Sequence, residues 1–127
     1  MRLFLTALLL PLLLSGCESA AQSHPQPDSR DGSPRRTVIL VHGYAKDSDD
    51  MQSLAGFLEK SGYRAAAVDL PLTFEHVQEA AAVFSEQVGE ILSGLPDNEP
   101  LAMVGHSTGG LVIRYFLAHS PNYKRVG

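Results

Sequence analysis

Three short apolar runs, separated by segments with helical spacing, constrain the fold of this chain more than any other feature. The runs are "TVILVHG" from Thr37, "YRAAAVDLP" from Tyr63 and "LAMVG" from Leu101. Continuous β-branched and aliphatic runs of this kind are typical of strands that are buried on both faces. The sequence therefore predicts three strands, of which the first ends at a glycine and the second is closed by Pro71.

The segment after the first run predicts a helix. Its apolar residues recur at helical spacing: Met51, Leu54 and Leu58. Asp49 or Asp50 is a suitable N-cap, because a carboxylate accepts hydrogen bonds from free backbone amides at a helix start. Gly62 is expected to stop the helix.

Two more helical segments complete the pattern. In the longer one, with Thr73 as a possible cap, the apolar positions are Val77, Ala81, Phe84, Val88 and Ile91. The other, "STGGLVIRYFLAHS", follows the third apolar run and is largely apolar. The resulting order β-α-β-α-β-α predicts an α/β fold with a parallel sheet and helices on both faces.

The first residues of the chain are typical of a secretory signal and not of a folded domain. "MRLFLTALLLPLLLSGC" has a positive Arg2, an apolar run and small residues, as secretory signals do. Its ending resembles the lipobox of bacterial lipoproteins, in which Cys17 is acylated; the alternative is an ordinary signal peptide with a chance cysteine. We expect a signal peptide at 1–16, a lipidated cysteine and flexible linker at 17–36, and an ordered domain at 37–127. This resemblance implies a lipid-anchored protein of the bacterial cell envelope, facing the periplasm or the exterior.

Charge and composition exclude several classes of partner. The formal net charge is −4 and 44% of the residues are hydrophobic, which suits a globular core. The basic pair Arg35–Arg36 is too short for a nucleic-acid patch, so no nucleic-acid partner is expected. Cys17 is the only cysteine, which excludes an intramolecular disulfide.

The third apolar run leads into the stretch "VGHSTGG", which fits the pattern G-x-S-x-G at Gly105–Gly109. The pattern alone is weak evidence for a catalytic serine. Here, however, a predicted strand precedes it and a predicted apolar helix follows it. A serine at such a turn has a strained backbone that pushes its hydroxyl outward, and the close passage of strand and helix requires residues nearly free of side chain at Gly105 and Gly109. Ser107 is therefore the candidate nucleophile.

A second motif, "VHGY", ends the first run. With both motifs, Thr37–Gly127 resembles the α/β-hydrolase family, in its lipase and esterase branch. The resemblance implies oxyanion amides at Tyr44 and Thr108, with His42 and Gly43 supporting their loop and His106 directed away from the serine hydroxyl. It also implies a partial α/β-hydrolase fold, in which the first strand lies between the second and the third.

The resemblance covers only the first half of that family's fold. In the family, an acid and then a histidine follow the serine, each after a later strand. The tail "SPNYKRVG" looks like a loop and the first residues of a next strand, so we expect this chain to be an incomplete piece of a longer hydrolase. We assign no internal triad, and the candidates that we set aside are His42, His76, His106, His119, Asp69 and Asp97.

Two functional classes remain open. The first is a membrane-anchored serine hydrolase of carboxylic esters, acting on lipid-like or other small-molecule esters, with no metal and no organic cofactor. The second is a non-catalytic or decayed surface lipoprotein whose half-fold binds a partner. The presence of an acid and a histidine in sequence following Gly127 would distinguish the two classes.

Overall fold

The computed structural model describes residues 36–73 and 75–127. Three strands form one parallel sheet: β1 (Thr37–Val41), β2 (Arg64–Val68) and β3 (Leu101–Gly105). β1 lies in the centre and the order is β2-β1-β3, with Thr37 opposite both Arg64 and Leu101. The predicted partial α/β-hydrolase architecture and strand order are confirmed. The signal peptide, Cys17 and the linker lie outside the described residues, apart from Arg36.

Helices cover both faces of the sheet, as predicted. A 3-10 turn (Ser48–Met51) leads into α1 (Gln52–Lys60), which packs on one face. The other face carries α2 (Val77–Ser93) and α3 (Thr108–His119), and a second 3-10 turn (Pro121–Arg125) follows α3. Every residue of β1 is buried because both of its faces are covered.

The N-cap of the first helical segment is Asp47, not Asp49 or Asp50 as the sequence predicts. The Asp47 side chain accepts a hydrogen bond from the Asp49 amide at 3.0 Å. Asp50 contributes from inside the turn, where its carboxylate accepts from the Asp47 amide at 3.4 Å. Gly62 follows the end of α1 with φ of 85°, a conformation that favours glycine, as the predicted stop requires.

The cap of α2 also differs from the prediction. α2 begins after His76 rather than after Thr73, and the Glu79 carboxylate accepts from the His76 amide at 2.8 Å. An acidic residue at the third helical position stabilises a helix start by this reciprocal bond. The helical face itself is as predicted, since Phe84 and Val88 are fully buried.

The larger of two apolar cores lies between the sheet and the α2–α3 pair. Phe84 of α2 meets Phe116 of α3 edge to face, with ring centroids 5.2 Å apart. The smaller core, on the α1 face, consists of Val38, Leu40, Met51 and Ala55 with half-buried neighbours. Alternate residues of β1 therefore supply the two cores, as expected from the period of a strand.

The chain returns to the sheet after α3. Val126 forms a parallel bridge with Leu101, and the Gly127 amide donates to the Leu101 carbonyl at 3.0 Å. The tail thus lies beside the start of β3, as the first residues of a next strand would. The rest of that edge carries Val104, which is 41% exposed.

Candidate functional site

The turn between β3 and α3 carries Ser107 in an unusual backbone conformation. Ser107 is the N-cap of α3 with φ of 53° and ψ of −121°, and its side chain is exposed. L-residues rarely adopt a positive φ, and holding one there costs about 1–3 kcal/mol. The surrounding structure must therefore enforce this turn, which points to a functional position.

Two glycines allow the strand and the helix to meet. A Cβ atom on Gly105 would lie 2.6 Å from the Gly110 nitrogen, and one on Gly109 would lie 2.6 Å from the Val41 carbonyl oxygen. Both contacts are with backbone, which side-chain rotation cannot relieve. Any residue other than glycine at these two positions would push α3 away from the sheet.

The "VHGY" loop lies directly against this turn. A Cβ on Gly43 would come within 3.3 Å of the Ser107 Cβ and 3.0 Å of the His106 Nδ1. The His106 amide donates to the Val41 carbonyl at 2.9 Å, which fixes the turn to the end of β1. The structure thus brings together the two motifs, which are far apart in the sequence.

The two predicted oxyanion residues flank this contact. Tyr44 directly follows Gly43, its side chain is 62% exposed, and the next residue, Ala45, also has a positive φ of 53°. Thr108 is the first residue of α3, and the first amides of a helix have no intrahelical acceptor. The positive end of the α3 dipole is at the same place.

His42 is buried below the loop, and both of its ring nitrogens are engaged. Nε2 accepts a hydrogen bond from the Leu70 amide at 2.9 Å, so the proton of the neutral ring is on Nδ1, which donates to the Gly43 carbonyl at 2.9 Å. The ring ties the end of the β2 segment to the loop of Gly43. It has no free nitrogen to take a proton from Ser107.

The other described histidines are exposed and stand apart from this arrangement. His119 ends α3, where its ring stacks on Tyr115 and its Nδ1 bonds the Tyr115 carbonyl at 2.8 Å. It lies eleven positions after Thr108, about 17 Å along the helix axis. His76 precedes α2, and His106 extends from the turn itself. No hydrogen bond joins any of them to Ser107 within the described residues.

Asp69 supports the loop rather than the serine. Its carboxylate accepts from the amide and the hydroxyl of Ser48, at 2.6 and 2.9 Å, and its carbonyl accepts from the Gln87 side chain at 2.9 Å. The sequence did not predict the supporting roles of Ser48 and Gln87, which bond Asp69, or of Leu70, which bonds His42. The partners are far apart in the chain and most of these bonds use backbone groups, so no sequence signal indicates them. Asp97 lies before β3, at the opposite edge.

A surface depression of about 410 Å³ opens beside the turn. Its apolar surface comes from Met51, Leu54 and Val104, and its remaining lining residues are Gly43, Lys46, Asp50, Gly105 and His106. Lys46 Nζ donates to the Asp50 carboxylate at 2.9 Å. This hydrogen bond raises the pKa of Lys46 and lowers the pKa of Asp50 relative to their ordinary values. The lining of the depression thus combines apolar side chains with one ion pair.

Neither a metal centre nor a membrane span emerges from residues 36–73 and 75–127. Within these ranges, no three histidine, cysteine or acidic side chains gather closely enough to hold a metal ion. The helices of the same ranges lack the length and apolar content that crossing a bilayer requires.

Comparison with known proteins identifies the family of the chain. The family model described as "Putative serine esterase (DUF676)" matches residues 32–126, which is most of the chain. The chain belongs to this serine esterase family. The match includes both motifs and all three strands.

Curated and solved relatives of the serine esterase chain agree with the α/β-hydrolase fold. Methylesterase 3 of Arabidopsis thaliana is 32% identical over 83 residues, which are 61% of this chain and 32% of that protein. A solved structure of Bacillus licheniformis lipase BlEst2, in its propeptide form, superposes with a TM-score of 0.61 at 26% identity, over 82% of this chain and 22% of the other. Polyneuridine aldehyde esterase gives a TM-score of 0.54 at 26% identity, over 72% and 37%.

The chain spans about a third of the length of the curated relatives that it matches.

Proposed function

We propose that this serine esterase chain carries the nucleophile half of a carboxylic ester hydrolase, with Ser107 as the nucleophile. The observation that carries the proposal is the strained, exposed position of Ser107 against the loop of Gly43. A positive φ on a serine is costly, and such strain is concentrated at functional sites. The G-x-S-x-G turn between a strand and a helix has the same layout as a nucleophile elbow.

In the proposed reaction, the Ser107 hydroxyl attacks the acyl carbon of an ester. The new C–O bond forms as the serine proton passes to a base, and the carbonyl oxygen becomes negative. The amides of Tyr44 and Thr108 would donate to this oxygen, where fixed donors stabilise the developing charge. The intermediate then expels the alcohol, which takes up the proton, and water hydrolyses the acyl-serine to release the acid and free serine.

The base is the part of the mechanism that the described residues do not provide. His42 has both ring nitrogens engaged, and His119 stacks on Tyr115 at the far end of α3. We therefore propose that a histidine and its acid come from segments that follow Gly127 in the complete protein. Without a base, Ser107 would keep only a small residual reactivity.

The substrate is proposed to be a small ester with an apolar or lipid-like group. Support comes from the relatives, which are named as methylesterases and a lipase, and from the depression beside Ser107. The side chains of Met51, Leu54 and Val104 offer apolar contact to such a group. No cofactor takes part in this proposal.

The location is a separate proposal that depends on the first residues of the sequence. We propose that Cys17 is acylated and that the domain is held at the bacterial cell envelope, facing the periplasm or the exterior, by the linker. Acyl chains contribute about 0.8 kcal/mol for each buried methylene, so several chains on one cysteine anchor firmly. Cys17→Ser should release the protein from membrane fractions, and continued tight attachment would refute lipidation there.

Labelling with a fluorophosphonate probe tests the nucleophile. We expect the complete protein to label strongly and the 127-residue chain to label weakly or not at all. Ser107→Ala should abolish labelling, whereas Ser53→Ala, at an exposed position of α1, should not change it.

Each alternative has its own result in this experiment. Labelling that survives Ser107→Ala would refute the nucleophile. Strong Ser107-dependent labelling of the short chain would show that a base lies within it. A complete protein that does not label, although folded, would favour the non-catalytic or decayed surface lipoprotein that binds a partner.

A further inference from the structure

Arginines that are far apart in the sequence meet at the amino edge of the sheet, opposite the edge that carries Ser107. Arg64 begins β2, Arg36 precedes β1, and Arg125 ends the turn that leads to the bridge beside β3. Because Thr37 pairs with both Arg64 and Leu101, these strand starts lie side by side. Neighbouring strands are about 4.8 Å apart, so the row from Arg64 to Val126 spans about 15 Å.

Within the described residues, two negative groups lie against the three arginines of this row. Arg36 donates to the Gly127 oxygen at 2.8 Å, which in this chain belongs to the terminal carboxylate. Arg125 donates to the carbonyls of Pro96 and Glu99 at 2.8 and 3.0 Å, which orient its guanidinium but do not cancel its charge. The Glu99 carboxylate accepts from Thr37 at 2.7 Å and lies 3.8 Å from Arg64.

The two edges of the sheet differ in charge. Among the described residues, the amino edge has five basic residues, Arg36, Lys60, Arg64, Lys124 and Arg125, against four negative groups, Glu59, Asp97, Glu99 and the terminal carboxylate of Gly127. The carboxyl edge has Lys46 against six acids, Asp47, Asp49, Asp50, Asp69, Glu75 and Glu79. The domain is thus negative overall, yet it is polarised, with its positive end where the linker joins at Arg36.

We propose that this basic edge docks on the headgroups of anionic phospholipids. A negative lipid surface attracts the basic edge and repels the acidic carboxyl edge, so both ends of the polarised domain favour one orientation. In that orientation Ser107 faces away from the bilayer. The proposal depends neither on ester hydrolysis nor on a lipid at Cys17, because it rests on charges of the folded domain alone.

Vesicle binding of the chain from residue 17 onward, carrying Cys17→Ser, tests the proposal, since neither the apolar signal segment nor acylation then contributes. Partition onto vesicles of phosphatidylcholine is compared with partition onto an equimolar mixture of phosphatidylcholine and phosphatidylglycerol. We expect preference for the mixture, falling about fivefold for Arg64→Gln and again for Lys124→Gln, since each basic residue near such a surface contributes about that factor. The preference should fade as salt is added.

Two variants serve as controls. Arg114→Gln removes the same charge from an exposed position within α3, away from the amino edge, and should leave the preference within about twofold. Arg64→Lys keeps the charge and should keep the binding. The proposal is overturned if the chain binds both vesicles equally or neither, or if Arg64→Gln and Lys124→Gln act no differently from Arg114→Gln. Circular dichroism of each variant verifies that the fold persists.

Discussion

Ser107 has a backbone conformation that residues other than glycine rarely adopt. Its φ of 53° is imposed from both sides, by the bond between the His106 amide and Val41 and by the bond between the Gly110 amide and the Ser107 carbonyl. Only glycine adopts such angles at no steric cost. A serine in this place therefore lowers stability relative to glycine, and strain of this kind is concentrated at functional sites.

Substitution at Ser107 should reveal this strain. Ser107→Gly should be more stable than Ser107→Ala by about 1 kcal/mol, because glycine relieves the strained φ and alanine does not. The matched pair at Ser85, inside α2, should show the opposite sign, since glycine in a helix is about 1 kcal/mol worse than alanine. Urea unfolding of the four variants measures both differences. The same sign at both positions would contradict a strained Ser107.

The sequence predicted the residues of this site better than their contacts. A turn between strand and helix needs bare backbone at fixed offsets, so Gly105 and Gly109 mark it in the sequence. The hydrogen bonds of His42 leave no such signal, because its partner is the backbone amide of Leu70, which any residue type could supply. Only the structure shows that both ring nitrogens of His42 form hydrogen bonds.

At the scale of elements, the spacing of apolar residues predicted the strands and helices correctly. The predicted N-caps of the first two helical segments were wrong. Asp47, Asp49 and Asp50 are chemically equivalent as caps, and tertiary contacts decide between them. The contact here is the one between Ser48 and the Asp69 carboxylate, which positions the turn immediately after Asp47. Residues so far apart in the sequence give no periodic signal.

The cap at Asp47 can be tested against the one that the sequence suggested. Asp47→Ala should lower the free energy of unfolding by about 1 kcal/mol, because the Asp49 amide loses its acceptor. Asp49→Ala removes the same charge and should cost less than about 0.5 kcal/mol. Asp47→Ser keeps an acceptor and should recover most of the loss. A larger effect at Asp49 than at Asp47 would place the cap where the sequence suggested it.

The basic amino edge results from how the strands and the segment after α3 are arranged. The sequence contains two basic pairs, Arg35–Arg36 and Lys124–Arg125, and each is too short to suggest a patch. The parallel register brings Arg64 beside Thr37, and the return of the chain after α3 adds Arg125. A pattern of this kind becomes predictable only when the strand register is known, since parallel strands place their first residues in one row.

At the scale of the whole molecule, the two faces of the sheet are unequal. The face covered by α2 and α3 buries the aromatic side chains Phe84 and Phe116. The α1 face buries the smaller set Val38, Leu40, Met51 and Ala55. Apolar burial is the main favourable contribution to folding, so the α2–α3 face should dominate the stability of the domain. The strain at Ser107 is small beside this contribution.

Truncation of a buried and of an exposed phenylalanine tests the contribution of the core between α2 and α3. Phe84→Ala should lower the free energy of unfolding by about 4 kcal/mol, because it leaves a cavity against Phe116. Phe57 in α1 is 65% exposed, and Phe57→Ala should change the free energy by less than about 0.5 kcal/mol. If Phe84→Ala does not fold, Phe84→Leu should still show a loss of about 1 kcal/mol. Equal losses at Phe84 and Phe57 in urea unfolding of the full chain would contradict a dominant contribution of the core between α2 and α3.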